Sequence, residues 1–250
     1  MAQRQPHIQL SQSMTQARYA LLPGDPKRVE HAAQFLENVE ELGCHREYRA
    51  LRGWFRDVEV LVMSTGMGGP STAIAAEELN QIGVTNLIRI GSCGAMQDHM
   101  RLGDLVIAHA AVRDEGTSDA YVKPAYPACA DVSLVNTLVQ QAKRLEYTAH
   151  CGYVRSHDSF YTDHEQEIDH YWSNKGILAA DMETAALMVV GALRHMRTAS
   201  ILNVVVEHNA CLTEGINDYQ QQEKSAQQGE SREILLALET VYQDSLEGRQ

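Results

Sequence analysis

The sequence predicts an α/β domain, and three observations carry that reading. Short β-rich runs recur at 19–22, 58–64, 86–90, 104–109, 152–155 and 200–206. Helical patterns at 26–38, 70–82, 131–145, 181–196 and 231–246 separate them. Runs such as Ile201-Leu202-Asn203-Val204-Val205-Val206 are apolar at nearly every position, as a sheet buried on both faces demands, although their period alone also describes a buried helix.

The first strand leads into Pro23-Gly24-Asp25-Pro26-Lys27-Arg28, where Asp25 suits an N-cap, Pro26 the first helical turn, and Arg28 projects from that turn. The second runs into Ser64-Thr65-Gly66-Met67-Gly68-Gly69-Pro70 and then a helix with Ile74, Ala75, Leu79 and Ile82 on one face, ending at Gly83. The third carries Arg89 inside an apolar run and breaks at Gly91-Ser92-Cys93-Gly94. Asp131 caps a helix bearing Leu134, Leu138 and Leu145. From 213 to 231 the chain turns polar and Gln-rich, which predicts a mobile loop or lid before the last helix.

The 250 residues, 44% of them hydrophobic, suffice for one large core, so a single domain over 1–250 is expected. A net charge of -12 without a Lys/Arg cluster argues against a nucleic-acid or anionic-membrane surface and leaves any phosphate to a few placed cations. Five scattered cysteines, never spaced as Cys-x-x-Cys, fit a reducing compartment. The N-terminus lacks the apolar core of a signal peptide and no run is long enough to span a bilayer, so a cytoplasmic protein is expected.

Three places carry chemistry. The glycine turn opening a helix lets backbone approach a ligand, though a plain tight turn explains the glycines equally well. Arg89 is costly to bury unless an acid or a bound phosphate meets it. With Arg28, it would place two guanidiniums at two strand-to-helix turns, as an oxyanion clamp requires. Asp181 and Glu183 open a helix, where acids are favoured by the dipole without any ligand.

The string from Ser64 to Leu79 resembles, without departure, the signature segment of the nucleoside phosphorylase family that includes uridine phosphorylase and the hexameric purine nucleoside phosphorylases. The resemblance extends from His7 to the last helix. It implies a three-layer α/β fold with a mixed, partly barrel-like central sheet, assembled at least as a dimer, with a hexamer of three dimers as the larger alternative. It implies a phosphate site at Gly24, Arg28, Arg89 and Ser92, with Arg46 of Cys44-His45-Arg46-Glu47-Tyr48 reaching across from a neighbouring subunit. Met182 and Glu183 match the family's ribose-binding pair, Asp181 standing where the family has a Glu; Ser92 adjoins the sugar, and His7 resembles a histidine that reaches the 5′-hydroxyl of the adjacent subunit's ribose. No cofactor is implied beyond phosphate as co-substrate and no catalytic metal, although Glu47 and Ser71 match residues that hold a monovalent cation between subunits.

The base end departs from the pattern. Phe160 matches the aromatic that stacks on the base, and Cys93 and Gly94 would line it, but His164 and Gln166 stand where the uridine branch has a Gln-x-Arg clamp. Glu207, with His208 beside it, takes the place of the purine branch's acid, a role that requires burial to keep it partly protonated; an exposed ion pair is its ordinary alternative. The catalytic set is then Arg89, Glu207 and His208, and phosphate-dependent cleavage of a ribonucleoside to base and ribose 1-phosphate is expected, purine ahead of uridine. A hydrolytic nucleosidase is disfavoured by the arginine set; a non-catalytic nucleoside-binding protein is the other class.

Overall fold

Helix starts fall where local chemistry puts them. In the computed structural model, which describes residues 3–210 and 224–247, the Asp25 carboxylate accepts from the Lys27 N–H at 2.8 Å and Asp131 from the Leu134 N–H at 3.0 Å. In chain order the first half is β1 (Tyr19–Pro23), α1 (Pro26–Ala33), β2 (Glu37–His45), β3 (Tyr48–Phe55), β4 (Val58–Met63), α2 (Gly69–Gln81), β5 (Asn86–Ala95) and β6 (Leu105–Asp114). There follow α3 (Gly116–Tyr121), β7 (Ala128–Cys129), α4 (Val132–Arg144), β8 (Ala149–His157), α5 (Glu165–Ser173), β9 (Ala179–Asp181), α6 (Thr184–Leu193), β10 (Arg197–Val206) and α7 (Lys224–Glu247).

All ten strands among the described residues join one mixed sheet. β5 is its hub: one edge pairs in parallel with β10, while the other pairs first with β1 and then, antiparallel, with β9. Because β9 continues through β8 and β6 back to β10, five strands close a ring, and β1, β4, β3 and β2 fan out from it as an open sheet. The sheet is thus mixed and partly barrel-like, as expected. Apolar clusters cover it on both sides, one joining α1, α4 and α7 through Val29, Leu138 and Leu236, the other built on α2 through Ala75 and Leu79. α6 is buried along Thr184 to Gly191, which explains its lack of a polar face. No helix among the described residues is long and apolar enough to cross a membrane.

Some expectations change. α1 stops at Ala33 rather than near 38, and α6 begins at Thr184, which leaves Asp181 in a strand and Glu183 at the N-cap. The stretch 213–231 is not all loop: α7 already begins at Lys224, and 213–223 lies outside the described residues. β2, β3, β7, β9, α3 and α5 were not foreseen. β2 is almost wholly exposed and carries Glu37, Glu40 and Glu41, so ladder hydrogen bonds to β3 hold it, and they leave no hydrophobic period.

Candidate active site

β1, β4, β5 and β10 run parallel, and their carboxyl ends open into one cavity of about 1460 Å³, the place where α/β sheets gather ligands. β1 delivers Gly24 and, through the first turn of α1, Arg28; β5 delivers Arg89, Ser92, Cys93 and Gly94; all line the cavity. Arg28 is 4% exposed and donates to the Ile90 carbonyl at 3.0 Å and the Ser92 hydroxyl at 2.8 Å. It also faces two carboxyls of α7, Glu230 at 3.2 Å and Glu233 at 3.0 Å. Arg89, equally buried, meets Asp181 at 2.9 Å and Glu183 at 2.6 Å. Gly91 makes this possible: a Cβ there would lie 2.5 Å from the Arg89 guanidinium, which folds back over it.

The glycine turn and the α6 start meet at the sugar end. Gly68 caps α2 at a φ of 91°, open to glycine and strained for other residues, and its N–H donates to Glu183 Oε1 at 2.6 Å. The helix N-terminus thus serves a carboxylate of its own chain. Burial pushes the Glu183 carboxyl above its ordinary pKa, with Arg89 opposing. Asp181 accepts from Ser156, the Thr184 amide and the Thr184 hydroxyl besides Arg89, so the shorter acid serves as a fully engaged internal anchor. Met182 lines the cavity beside them.

At the far end, Phe160, Gln166, Glu207 and His208 line the cavity. Glu207 is not buried: its side chain is 38% exposed, with Arg101 at 4.0 Å, and Oε1 accepts from the Leu102 N–H at 3.2 Å. The burial expected of it against Phe160 and the valines is absent because the carboxyl sits at the rim. His208 does not pair with Glu207; its ring bridges Asp98 at 2.7 Å and Asp169 of α5 at 2.9 Å. His164 is exposed at the start of α5, 3.6 Å from Glu167, and does not line the cavity.

His7 and Arg46 also lie outside their own chain's cavity. They are nonetheless neighbours. The His7 ring meets Glu78 of α2 at 2.6 Å, and the His45 ring, next to Arg46 in the β2–β3 turn, donates to the His7 carbonyl at 2.7 Å. Arg46 itself is exposed at a φ of 55°.

Sequence reasoning missed Glu230 and Glu233, because a polar, Gln-rich stretch hides the start of α7. A signal was present: Glu233 directly precedes Ile234 and Leu236 on the apolar face, and an acid there calls for a cation. Asp98 and Asp169 carry no sequence signal, since only the fold brings them to His208.

The model of the phosphorylase superfamily matches residues 18–241. A uridine phosphorylase from Vibrio fischeri has a similar structure, with a TM-score of 0.89 and 43% identity over 96% of this chain and 97% of that one. The uridine phosphorylase of Salmonella typhimurium is 36% identical over 80% of this chain and 85% of its own. The guanosine phosphorylase of Halorubrum lacusprofundi is 32% identical over 95% and 98%. A uridine phosphorylase of Thermococcus kodakarensis reaches 50%, but over 58% of this chain and 52% of its own. With the motifs, the ring-and-fan sheet and these matches in agreement, the chain belongs to the phosphorylase superfamily, within its nucleoside phosphorylase family.

Proposed function

We propose that the protein cleaves a ribonucleoside with inorganic phosphate, releasing the free base and ribose 1-phosphate. The observation that carries this reading is the convergence of Arg28 and Arg89 at the carboxyl ends of β1 and β5, beside Ser92 and a helix-opening glycine turn. Glycosidic cleavage passes through an oxocarbenium-like state, positive at the sugar and negative on the departing base. Phosphate held by Arg28, Arg89, Ser92 and the Gly24 turn would lie beneath the anomeric carbon, both as nucleophile and as an anion favouring the sugar cation. Glu183 would accept from the ribose hydroxyls, with Met182 packed on the ring. Phe160 would stack on the base, which on binding would cover the rim and supply the burial that Glu207 lacks, so that Glu207 could share or donate a proton as the base leaves, while Cys93, Gly94 and Gln166 border it. His208, its nitrogens engaged by two aspartates, would act by holding α5 in place.

His7 and Arg46 would complete a neighbour's site, which makes the working unit at least a dimer. Glu47 and Ser71 both flank Gly66, and their oxygens suit a monovalent cation at that seam. The names of the relatives favour uridine as substrate, apart from guanosine in Halorubrum; the purine preference expected from sequence finds no support in the uridine names and stands as a second reading on Glu207 at the cavity rim. Base release from inosine, guanosine, adenosine and uridine, each with and without phosphate, tests both levels. Release that requires phosphate is expected. Equal rates without phosphate would overturn the phosphorylase reading, and nucleoside binding with no turnover of any base would favour a non-catalytic protein.

A further inference from the structure

Arg28 and Arg89 between them face four carboxyls, Glu230, Glu233, Asp181 and Glu183. Fully ionised, these four acids outnumber the two guanidiniums, so an entering dianion meets an excess of negative charge that each neutral acid lowers by one. Asp181 and Glu183 are held by hydrogen bonds to Ser156, Thr184 and Gly68, and Glu230 also contacts His31 near the surface. Glu233 differs: it is 0% exposed, and its Oε1 lies 3.0 Å from Arg28 Nη1.

We propose that Glu233 competes with phosphate for Arg28, yielding the guanidinium to phosphate as a neutral acid and withholding it as a carboxylate. The inference rests on the phosphate site proposed above. The groups acting on Glu233 pull in both directions. Arg28 from α1 and Arg89 from β5 favour the carboxylate, as does the Asn203 backbone of β10; Glu230, on its own helix, favours the acid. Burial is the largest influence and pushes the Glu233 pKa up to about 8, while on β5 the buried Cys93 thiol is raised as well. Below that value the acid is neutral and contributes no competing charge. Above it, one proton leaves to solvent, and phosphate binding must recover that proton.

The test uses the full-length protein and two anions. Phosphate-dependent turnover at neutral pH is established first, because its absence would fail the phosphorylase reading rather than this one. The phosphate KM and the inhibition constant of sulfate, whose charge is fixed, are then followed from about pH 7 to 9.5. Both are expected to rise above pH 8, approaching about tenfold per pH unit. Glu233→Gln should flatten the sulfate profile, and the nucleoside KM should keep one profile in both proteins. Parallel sulfate profiles in the two proteins would overturn the proposal. Calorimetry of sulfate binding to the unmutated protein at about pH 8.5, in buffers of different ionisation enthalpy, gives an independent answer. Uptake approaching one proton per sulfate is expected, and none would overturn it.

Discussion

Asp181 holds more of the site together than any other single side chain, because four donors end on its two buried oxygens. Removing it leaves Arg89 with Glu183 alone, strands the Thr184 amide and takes the acceptor from the Ser156 hydroxyl, while the Thr184 hydroxyl keeps Ser200. Asp181→Ala should therefore cost about 3–5 kcal/mol, seen as a lower urea midpoint at an unchanged slope. A loss below about 1 kcal/mol would mean that the network relaxes around the gap. Glu207 is the opposite kind of residue, half-open to solvent and held mainly by the Leu102 amide. Its substitution should leave the fold alone and act on chemistry: Glu207→Ala is expected to slow base release about 10²-fold or more at saturating phosphate, with little change in phosphate KM. An unchanged rate would remove it from the mechanism.

At the scale of the elements, α5 stands apart, since it buries no residue and His208 ties it to the body through Asp169 and Asp98. Burial disfavours the charged ring, but hydrogen bonds to the two aspartates outweigh it and carry the His208 pKa above its ordinary 6.5. A pKa raised by folding gives stability that is complete below about 6.5 and is lost as pH rises through the shifted value. Protection of the α5 amides against hydrogen exchange should therefore fall, relative to α4, as pH rises above about 6.5, and His208→Ala should abolish that dependence. The same contrast explains what the sequence reveals. α2, α4 and β10 announce themselves through caps and apolar period, because the core that shapes them leaves its period in the residues. β2 and α5 leave none, being stabilised by a neighbouring strand and by ions from remote loops. Of the proposed phosphate residues, Arg28 could be found because it follows a turn whose glycine and prolines are visible, and Arg89 and Ser92 because a charge and glycines interrupt an apolar run; the acids of α7 stand on an apolar face that calls for a cation, but no local pattern names it, because Arg28 is about 200 residues away.

For the whole molecule, His7 and Arg46 lie side by side, tied through His45, yet outside the cavity of their own chain. If they serve a neighbour, sites are shared, and two defective chains can repair each other. Mixing Arg46→Ala chains with Glu183→Gln chains, after co-expression or joint refolding, should restore about a quarter of the unmutated activity, since half the dimers are mixed and each carries one intact site. No recovery above the separate variants would place every needed residue in one chain. The ring-and-fan sheet gives this arrangement an unequal architecture. The proposed anion end is set in strands and buried charge, whereas the proposed base end takes Gln166 from a helix that buries no residue. On the proposed function, a change of nucleobase would then need exchanges only at exposed or partly exposed residues such as Gln166 and Glu207, whereas a change of nucleophile would need several interior positions to change together.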